Sequence, residues 1–183
     1  MELYFNTVNK NKIREVEHIF SGYSDYELHF LNKGIIEVLS NNIQEVIKNK
    51  AISAYRYWKL PIIVEHGALE IEYFNKFPGA LSKPMWDLMN DKICSLIPAK
   101  ESRAAKVISA VCYCDGKKIH IFKGETTGNI SDKGRGINGF QFDPIFIPNG
   151  DIKTYAEMDI SEKMSFSQAS KSYGQLITFL KTL

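Results

Sequence analysis

The sequence predicts an α/β fold, and three observations support that prediction. Short apolar strands alternate with amphipathic helices through the first 64 residues. Later, the turn signal Asp115-Gly116 separates two strand-like runs and predicts a hairpin. The chain then finishes in a helix with one apolar face.

Length and composition indicate one globular domain over residues 1–183. Hydrophobic residues make up 44% and the net charge is only +2, which gives no reason to expect nucleic-acid binding. No apolar run reaches the roughly 20 residues of a membrane span, and the first residues lack signal-peptide features. The three cysteines suit reduced thiols better than disulfides or a zinc site, so we expect a cytoplasmic protein.

The first predicted strand and helix enclose a polar turn. Residues 3–5 are strand-like, and apolar residues recur at helical spacing over 13–20. Between them runs the polar segment from Asn6 to Lys12. Backbone N–H groups at such a helix start, with Lys12 in the first turn, would bind an anion. A plain asparagine cap with solvated lysines fits the same residues, so both interpretations stay open.

Two further strands and a long helix complete the first third of the chain. Residues 26–31 and 60–64 are predicted strands, and residues 43–58 form an amphipathic helix with Lys50 near its middle. The second of these strands is predicted to end at Glu65 and His66. Acids at the carboxyl end of such a strand lie where an α/β sheet holds a metal or a catalytic group.

The remaining elements follow from turns and spacing. Residues 77–80 are a predicted turn, 86–97 a helix, and 107–114 with 118–123 the hairpin. Residues 154–158 start a helical turn, and residues 166–180 carry the core face of the terminal helix. Lys163, Ser167 and Lys171 fall four apart on another face, which either faces phosphate or is solvated.

The stretch from Asp132 to Gly150 carries the strongest ligand signal. It contains a flexible Gly-Arg-Gly, then Phe140-Gln141-Phe142-Asp143, then a turn at its end. Aromatic faces beside an acid and a mobile arginine suit a flat heterocycle that carries phosphates. A strand with core aromatics between two turns is the alternative, and the residues alone leave both open.

The order of these pieces resembles the inosine/xanthosine triphosphate pyrophosphatase family over nearly the whole chain. Residues 7–12 with Glu15 are similar to T-G-N-x-x-K-x-x-E, and residues 77–79 to A-P-G. Residues 122–130 are similar to F-x-G…G-x-I, and residues 135–146 to R-G…G-F-G-Y/W-D-P-I-F. Residues 154–158 and 162–163 are similar to T-x-A-E-M/L and E-K. One such match would be weak, but their shared order is specific.

The resemblance implies an elongated mixed central sheet with flanking helices, two lobes around a nucleotide cleft, and a homodimer. The family hydrolyses ITP, dITP and XTP to the monophosphate and pyrophosphate with Mg²⁺. The implied phosphate-binding residues are Thr7, Asn9, Lys12, Lys50, Gly67 and Lys163. The implied base-binding residues are Phe140, Phe142, Asp143, Ser167 and Gln168. The catalytic candidates are His66 and Glu65, and the metal candidates are Glu37 and Glu65.

Two departures bear on this resemblance. The family's D/E-D-S-G-L reads Glu65-His66-Gly67-Ala68-Leu69, so the second acid is His66. A neutral imidazole cannot replace a carboxylate on Mg²⁺, which prefers oxygen ligands. Three alternatives stay open. The activity is lost, His66 acts as the general base, or Glu65 takes over the role of the second acid through a shifted backbone. The family's S-H-R reads Ser-Gln-Ala over residues 167–169, which puts the base preference in doubt.

These departures lead to three hypotheses. The first is a sensor that binds a non-canonical purine triphosphate such as dITP with lost or weakened hydrolysis. It is similar to the nucleotide-binding subunit of the Kongming type of anti-phage defence, which implies a sirtuin-type, NAD-degrading effector as partner. The alternatives are an active Mg²⁺-dependent pyrophosphatase and a structural subunit with a vestigial pocket.

Overall fold

The structure is a computed structural model that describes all of residues 1–183. Its strands are β1 (Glu2–Asn6), β2 (Glu27–Leu31), β3 (Ile62–Ile71), β4 (Pro78–Gly79), β5 (Ala104–Cys114), β6 (Ile119–Ile130) and β7 (Phe146–Pro148). They form one mixed sheet in the order β2-β1-β3-β5-β6-β7, with β4 paired to the outer part of β3. The first three strands in this order are parallel, and the later neighbours are antiparallel.

Five α-helices flank the sheet: α1 (Lys10–Phe20), α2 (Ile43–Trp58), α3 (Ser82–Met89), α4 (Ile160–Phe166) and α5 (Gln168–Leu180). Short 3₁₀ segments occur at Glu72–Phe74, Asn90–Leu96 and Tyr155–Glu157. Asn9 and Asn42 cap α1 and α2, because each side-chain oxygen accepts two backbone N–H groups of the first turn. None of the helices is long and apolar enough to cross a membrane. The predicted α/β architecture, a mixed sheet with flanking helices, is confirmed.

The core is divided along the long strands. Helix α2 packs on one face of β3 and β5, and α1 with α5 packs on the other face. A third cluster contains Leu69 and Ile71 of β3 together with Phe142, Phe146 and Tyr155. Phe142 therefore belongs to the core, as the core-aromatic alternative anticipated. Residues 65–67 of β3 lie between these apolar regions.

The predicted end of the third strand is wrong. β3 does not stop near residue 64, because β5 pairs with it along all ten residues, from Ile62 with Cys114 to Ile71 with Ala105. Glu65 and His66 therefore lie in the middle of a strand, and their side chains point to opposite faces of the sheet. β1 pairs with β3 only at Ile62 and Ile63, so residues 65–67 extend past the end of β1.

The predicted terminal helix is two helices. Ser167 has extended backbone angles (φ −61°, ψ 133°), and its hydroxyl accepts the N–H of Ala169 as the cap of α5. The backbone break separates Lys163 on α4 from Lys171 on α5. The two lysines therefore do not form a row with Ser167 on one helix face. Lys163 is buried, whereas Lys171 is exposed and donates to the Glu125 carbonyl.

Candidate functional site

A polar pocket lies where β1 and β2 end and β3 continues. Its cavity volume is about 170 Å³, and only two of its fourteen lining residues are hydrophobic. Seven predicted site residues line it: Thr7, Asn9, Lys12, Glu37, Lys50, His66 and Gly67. Two further lysines, Lys33 and Lys83, also line it. We call it the lysine pocket, because four lysines and one glutamate are among its lining residues, a composition suited to a polyanion.

The start of α1 forms one wall of the lysine pocket. Asn9 caps the helix, and the Asn9 N–H donates to the Thr7 hydroxyl over 3.2 Å. The partial positive charge of a helix N-terminus therefore adds to the lysine charges. Lys12, in the first turn, lies 3.7 Å from a Glu65 carboxylate oxygen. This wall suits phosphate oxygens, and the phosphate-binding role of its residues stays a prediction.

Glu37 is the carboxylate of the lysine pocket, and it contacts the Lys50 ammonium and the His66 ring. One oxygen accepts from the Lys50 ammonium at 2.5 Å, and the other lies 3.2 Å from His66 Nδ1. Burial raises the pKa of Glu37, but the hydrogen bond from His66 and the charge of Lys50 outweigh burial and lower it to about 2. The pKa of Lys50 is lowered, mainly by burial and then by the charge of Lys12. A bound anion would relieve this crowding of cations.

Both ring nitrogens of His66 face acceptors. Nε2 lies 2.8 Å from the Ala80 carbonyl, which can only accept a hydrogen bond, and Nδ1 faces the ionised Glu37 carboxylate. Both ring nitrogens are thus directed at protein acceptors. The geometry therefore favours a role in holding Glu37 over the general-base role, which stays a prediction.

Glu65 lies on the other face of the sheet from His66. It accepts from the Ser109 hydroxyl at 3.1 Å and from the Tyr173 hydroxyl at 3.3 Å, and its side chain is only 9% exposed. Glu65 does not line the lysine pocket. Its contact with Lys12 links this interior network to the pocket wall. Its predicted catalytic and metal roles stay predictions, and the contacts suit a residue that positions Lys12.

The side chains at the lysine pocket fit Mg²⁺ if phosphate oxygens supply most of its ligands. Mg²⁺ is typically held by one or two carboxylates together with substrate phosphates. Glu37 is the oxygen ligand that faces the pocket, so it would hold the ion. His66 offers nitrogen and fits poorly. When bound, the ion would neutralise phosphate charge and polarise a phosphoryl oxygen.

Lys163 lies in a buried ion cluster rather than in the lysine pocket. Its ammonium contacts Glu15 at 2.6 Å and Asp143 at 2.7 Å, and all three residues are buried. Burial lowers the pKa of Lys163, but the two carboxylates outweigh it and raise the pKa. One ammonium neutralises one of the two acids. Burial, followed by repulsion from Asp143, accordingly raises the pKa of Glu15 to about 7 despite the attraction of Lys163.

The shifted pKa of Glu15 predicts that stability falls as pH rises from about 4.5 to about 7. The folded state binds the Glu15 proton more tightly than the unfolded chain, so this stabilisation is complete below pH 4.5 and is lost through about pH 7. The titration of Glu37 does not contribute to this pH dependence, because its lowered pKa changes the stability only below pH 4.5. Urea unfolding across this range measures the effect. Glu15→Gln should flatten the wild-type slope, and an unchanged slope would contradict the assignment.

The predicted base-binding residues are only partly brought together. Phe140 places its ring 5.2 Å from the Lys163 ammonium, and its N–H donates to Asp143 at 2.7 Å. Gln168 accepts from the Tyr155 hydroxyl, while Ser167 caps α5.

A second cavity of about 420 Å³ is lined by residues that include Gly139, Glu15, Tyr155 and Lys163. Phe140 thus lies between Gly139 of this cavity and Gln141 of the lysine pocket, an arrangement that suits a base joined to phosphates.

Sequence reasoning missed four polar residues of the lysine pocket: Asn6, Lys33, Lys83 and Gln141. Lys33 could have been found, because it follows the carboxyl end of β2 beside parallel β1. Gln141 has φ of +51°, a left-handed conformation that is uncommon outside glycine, and the family motif has glycine there. Lys83 gave no local signal, since the turn and helix that carry it approach β3 only in the folded chain.

Comparison with known proteins decides the family. Residues 3–179 match the sequence model described as the Ham1 family. The chain belongs to the Ham1 family. A dITP/XTP pyrophosphatase from Saccharolobus solfataricus is 33% identical over 177 residues, which is 96% of this chain and 92% of that protein. An inosine triphosphate pyrophosphatase from Kluyveromyces lactis is 34% identical over 187 residues, covering 98% and 95% of the two chains.

Solved Ham1 structures share the fold. A HAM1 protein from Coxiella burnetii superposes with a TM-score of 0.82 at 24% identity over the whole of both chains. The Staphylococcus aureus Ham1 protein gives a TM-score of 0.81 at 23% identity, covering 100% of this chain and 99% of that one. The resemblance stated from the motifs is thus confirmed at the level of the Ham1 family and its fold.

Proposed function

We propose that this chain is a nucleoside triphosphate pyrophosphatase of the dITP/XTP class whose turnover is limited by His66. The lysine pocket carries the proposal, because four lysines line it beside a helix N-terminus and one glutamate. The names of Ham1 relatives that match over nearly the whole chain support this reaction class. The products would be a nucleoside monophosphate and pyrophosphate.

The residues suggest a division of labour along the cleft. Lys12 and Lys50 would bind phosphate oxygens, and Lys50 would exchange its Glu37 contact for the substrate. Glu37 would then be free to hold Mg²⁺ on the phosphates. Phe140 would stack on the base. A water attacking the phosphate would meet no free carboxylate at position 66, which predicts slow hydrolysis.

The test is pyrophosphate release from dITP, ITP and XTP, with dATP and dGTP as competitors and Mg²⁺ present. We expect a preference of at least about tenfold for the non-canonical nucleotides. Lys12→Gln should weaken binding by about tenfold to a hundredfold, because it removes a charge-assisted hydrogen bond. Lys48→Gln, on the exposed side of α2, is the matched control and should bind normally. Absence of both binding and release would overturn the proposal.

A second candidate function is nucleotide sensing without useful turnover, and the geometry of His66 favours it. A ligand held without hydrolysis would stabilise the form it binds and so could signal to a partner. The sirtuin-type effector, the role in anti-phage defence and the homodimer belong to this candidate as predictions. Tight dITP binding without pyrophosphate release would favour sensing. Multiple turnovers each second by the purified protein would exclude it.

A further inference from the structure

Lys33 differs from the other lysines of the lysine pocket in its partner. Lys12, Lys50 and Lys83 each have a carboxylate at ion-pair distance. Lys33 has none, and its ammonium instead lies 4.5 Å from the centre of the Tyr57 ring. A cation on an aromatic face is held by a weaker attraction than a close ion pair. Lys33 can therefore turn to an incoming anion without leaving a carboxylate unpaired.

The backbone of Lys33 is fixed by a side-chain clamp. Asn6, at the end of β1 and 3% exposed, donates through its amide nitrogen to the Lys33 carbonyl at 2.9 Å. The Asn6 amide oxygen accepts from the Trp58 indole N–H at 2.9 Å. Both ends of the buried amide are thus used to tie the segment after β2 to the end of α2. The clamp holds the backbone of Lys33 at the pocket wall, while its ammonium has only the Tyr57 ring as a partner.

We propose that Lys33 binds the phosphate chain and favours triphosphate over monophosphate, with Asn6 and Trp58 as its positioning residues. The inference deepens the proposed function and rests on it. Lys33 comes from the segment after β2, whereas Lys12 and Lys50 come from α1 and α2. A cation added on a separate wall matters most for the ligand that carries the most negative charge. A monophosphate can be satisfied by Lys12 and Lys50 alone.

Calorimetric titration tests this inference with four probes: dITP, dATP, dIMP and inorganic tripolyphosphate, all in metal-free buffer so that hydrolysis does not interfere. Lys33→Gln should weaken dITP and tripolyphosphate binding about tenfold or more and leave dIMP nearly unchanged. Lys33→Arg should restore most of the loss, because it keeps the charge. Trp58→Phe should give a smaller loss of dITP affinity, since the amide clamp loses its donor, and in a separate assay with Mg²⁺ the loss should appear in KM. Lys48→Gln is again the control, because Lys48 is exposed and does not line the lysine pocket.

The outcomes separate this inference from the proposed function. Wild-type affinity for dITP in Lys33→Gln, with Lys12→Gln still impaired, would overturn the role of Lys33 and leave the proposed function intact. Equal losses for dIMP and dITP would overturn the triphosphate preference. Tripolyphosphate binding that depends on Lys33, without a preference for dITP over dATP, would uphold Lys33 and reject the proposed base class. A wild-type protein that binds none of the probes would overturn both.

Discussion

Replacing His66 with Asp is expected to raise pyrophosphate release from dITP by about a hundredfold, within the range typical of a positioned general base. The new carboxylate would face the lysine pocket with an oxygen that can take a proton from water. It would also remove the contacts that the His66 ring nitrogens make with Glu37 and Ala80. Rates with purified protein, saturating dITP and Mg²⁺ measure the effect.

His66→Asn is the matched control for this gain, because it has nearly the shape of Asp without its charge. We expect no gain from Asn. A second readout is thermal: with Asp beside Glu37, two carboxylates face each other, so melting should fall without Mg²⁺ and recover with it. Equal rates for the Asp and Asn variants would refute the explanation of slow turnover by a missing acid.

Replacing Lys163 with Met is expected to destabilise the protein by about 3–5 kcal/mol, because it leaves Glu15 and Asp143 buried without a counter-charge. In a chain of this length, such a loss lowers the melting temperature on the order of 10 °C. Methionine keeps most of the side-chain volume, so the lost charge and its hydrogen bonds dominate the effect. Urea or thermal unfolding at pH 7 measures it.

Lys153→Met provides the comparison, since Lys153 forms an exposed ion pair with Glu162 and should cost less than about 1 kcal/mol. Adding Glu15→Gln to Lys163→Met should recover part of the stability, because one of the two orphaned acids is then neutral. Equal melting temperatures for the Lys163 and Lys153 variants would show that the buried ion cluster does not stabilise the fold. Lys163 would then be available for the phosphate-binding role that the family resemblance implied.

Local patterns in the sequence were enough to predict most helices and strands. The contacts that define the site are not local. Glu65, His66 and Gly67 have the composition of a strand end, yet pairing with β5 keeps them in a strand. The apolar spacing that predicted the terminal helix continues across Ser167, where the backbone breaks. Contacts such as Glu15 with Lys163 span 148 positions, and no periodicity reports them.

The ten-residue pairing of β3 with β5 decides which acid the cleft can use. To bring Glu65 into the lysine pocket, the strand would have to slip by one residue along its partner, because side chains alternate between faces. Such a slip would also turn Val64 and Ala68 out of their apolar surroundings. The paired register therefore keeps Glu65 on the face of β3 opposite to His66. If turnover is limited at position 66 as proposed, faster hydrolysis would require a mutation at position 66 itself or a carboxylate supplied from outside this strand.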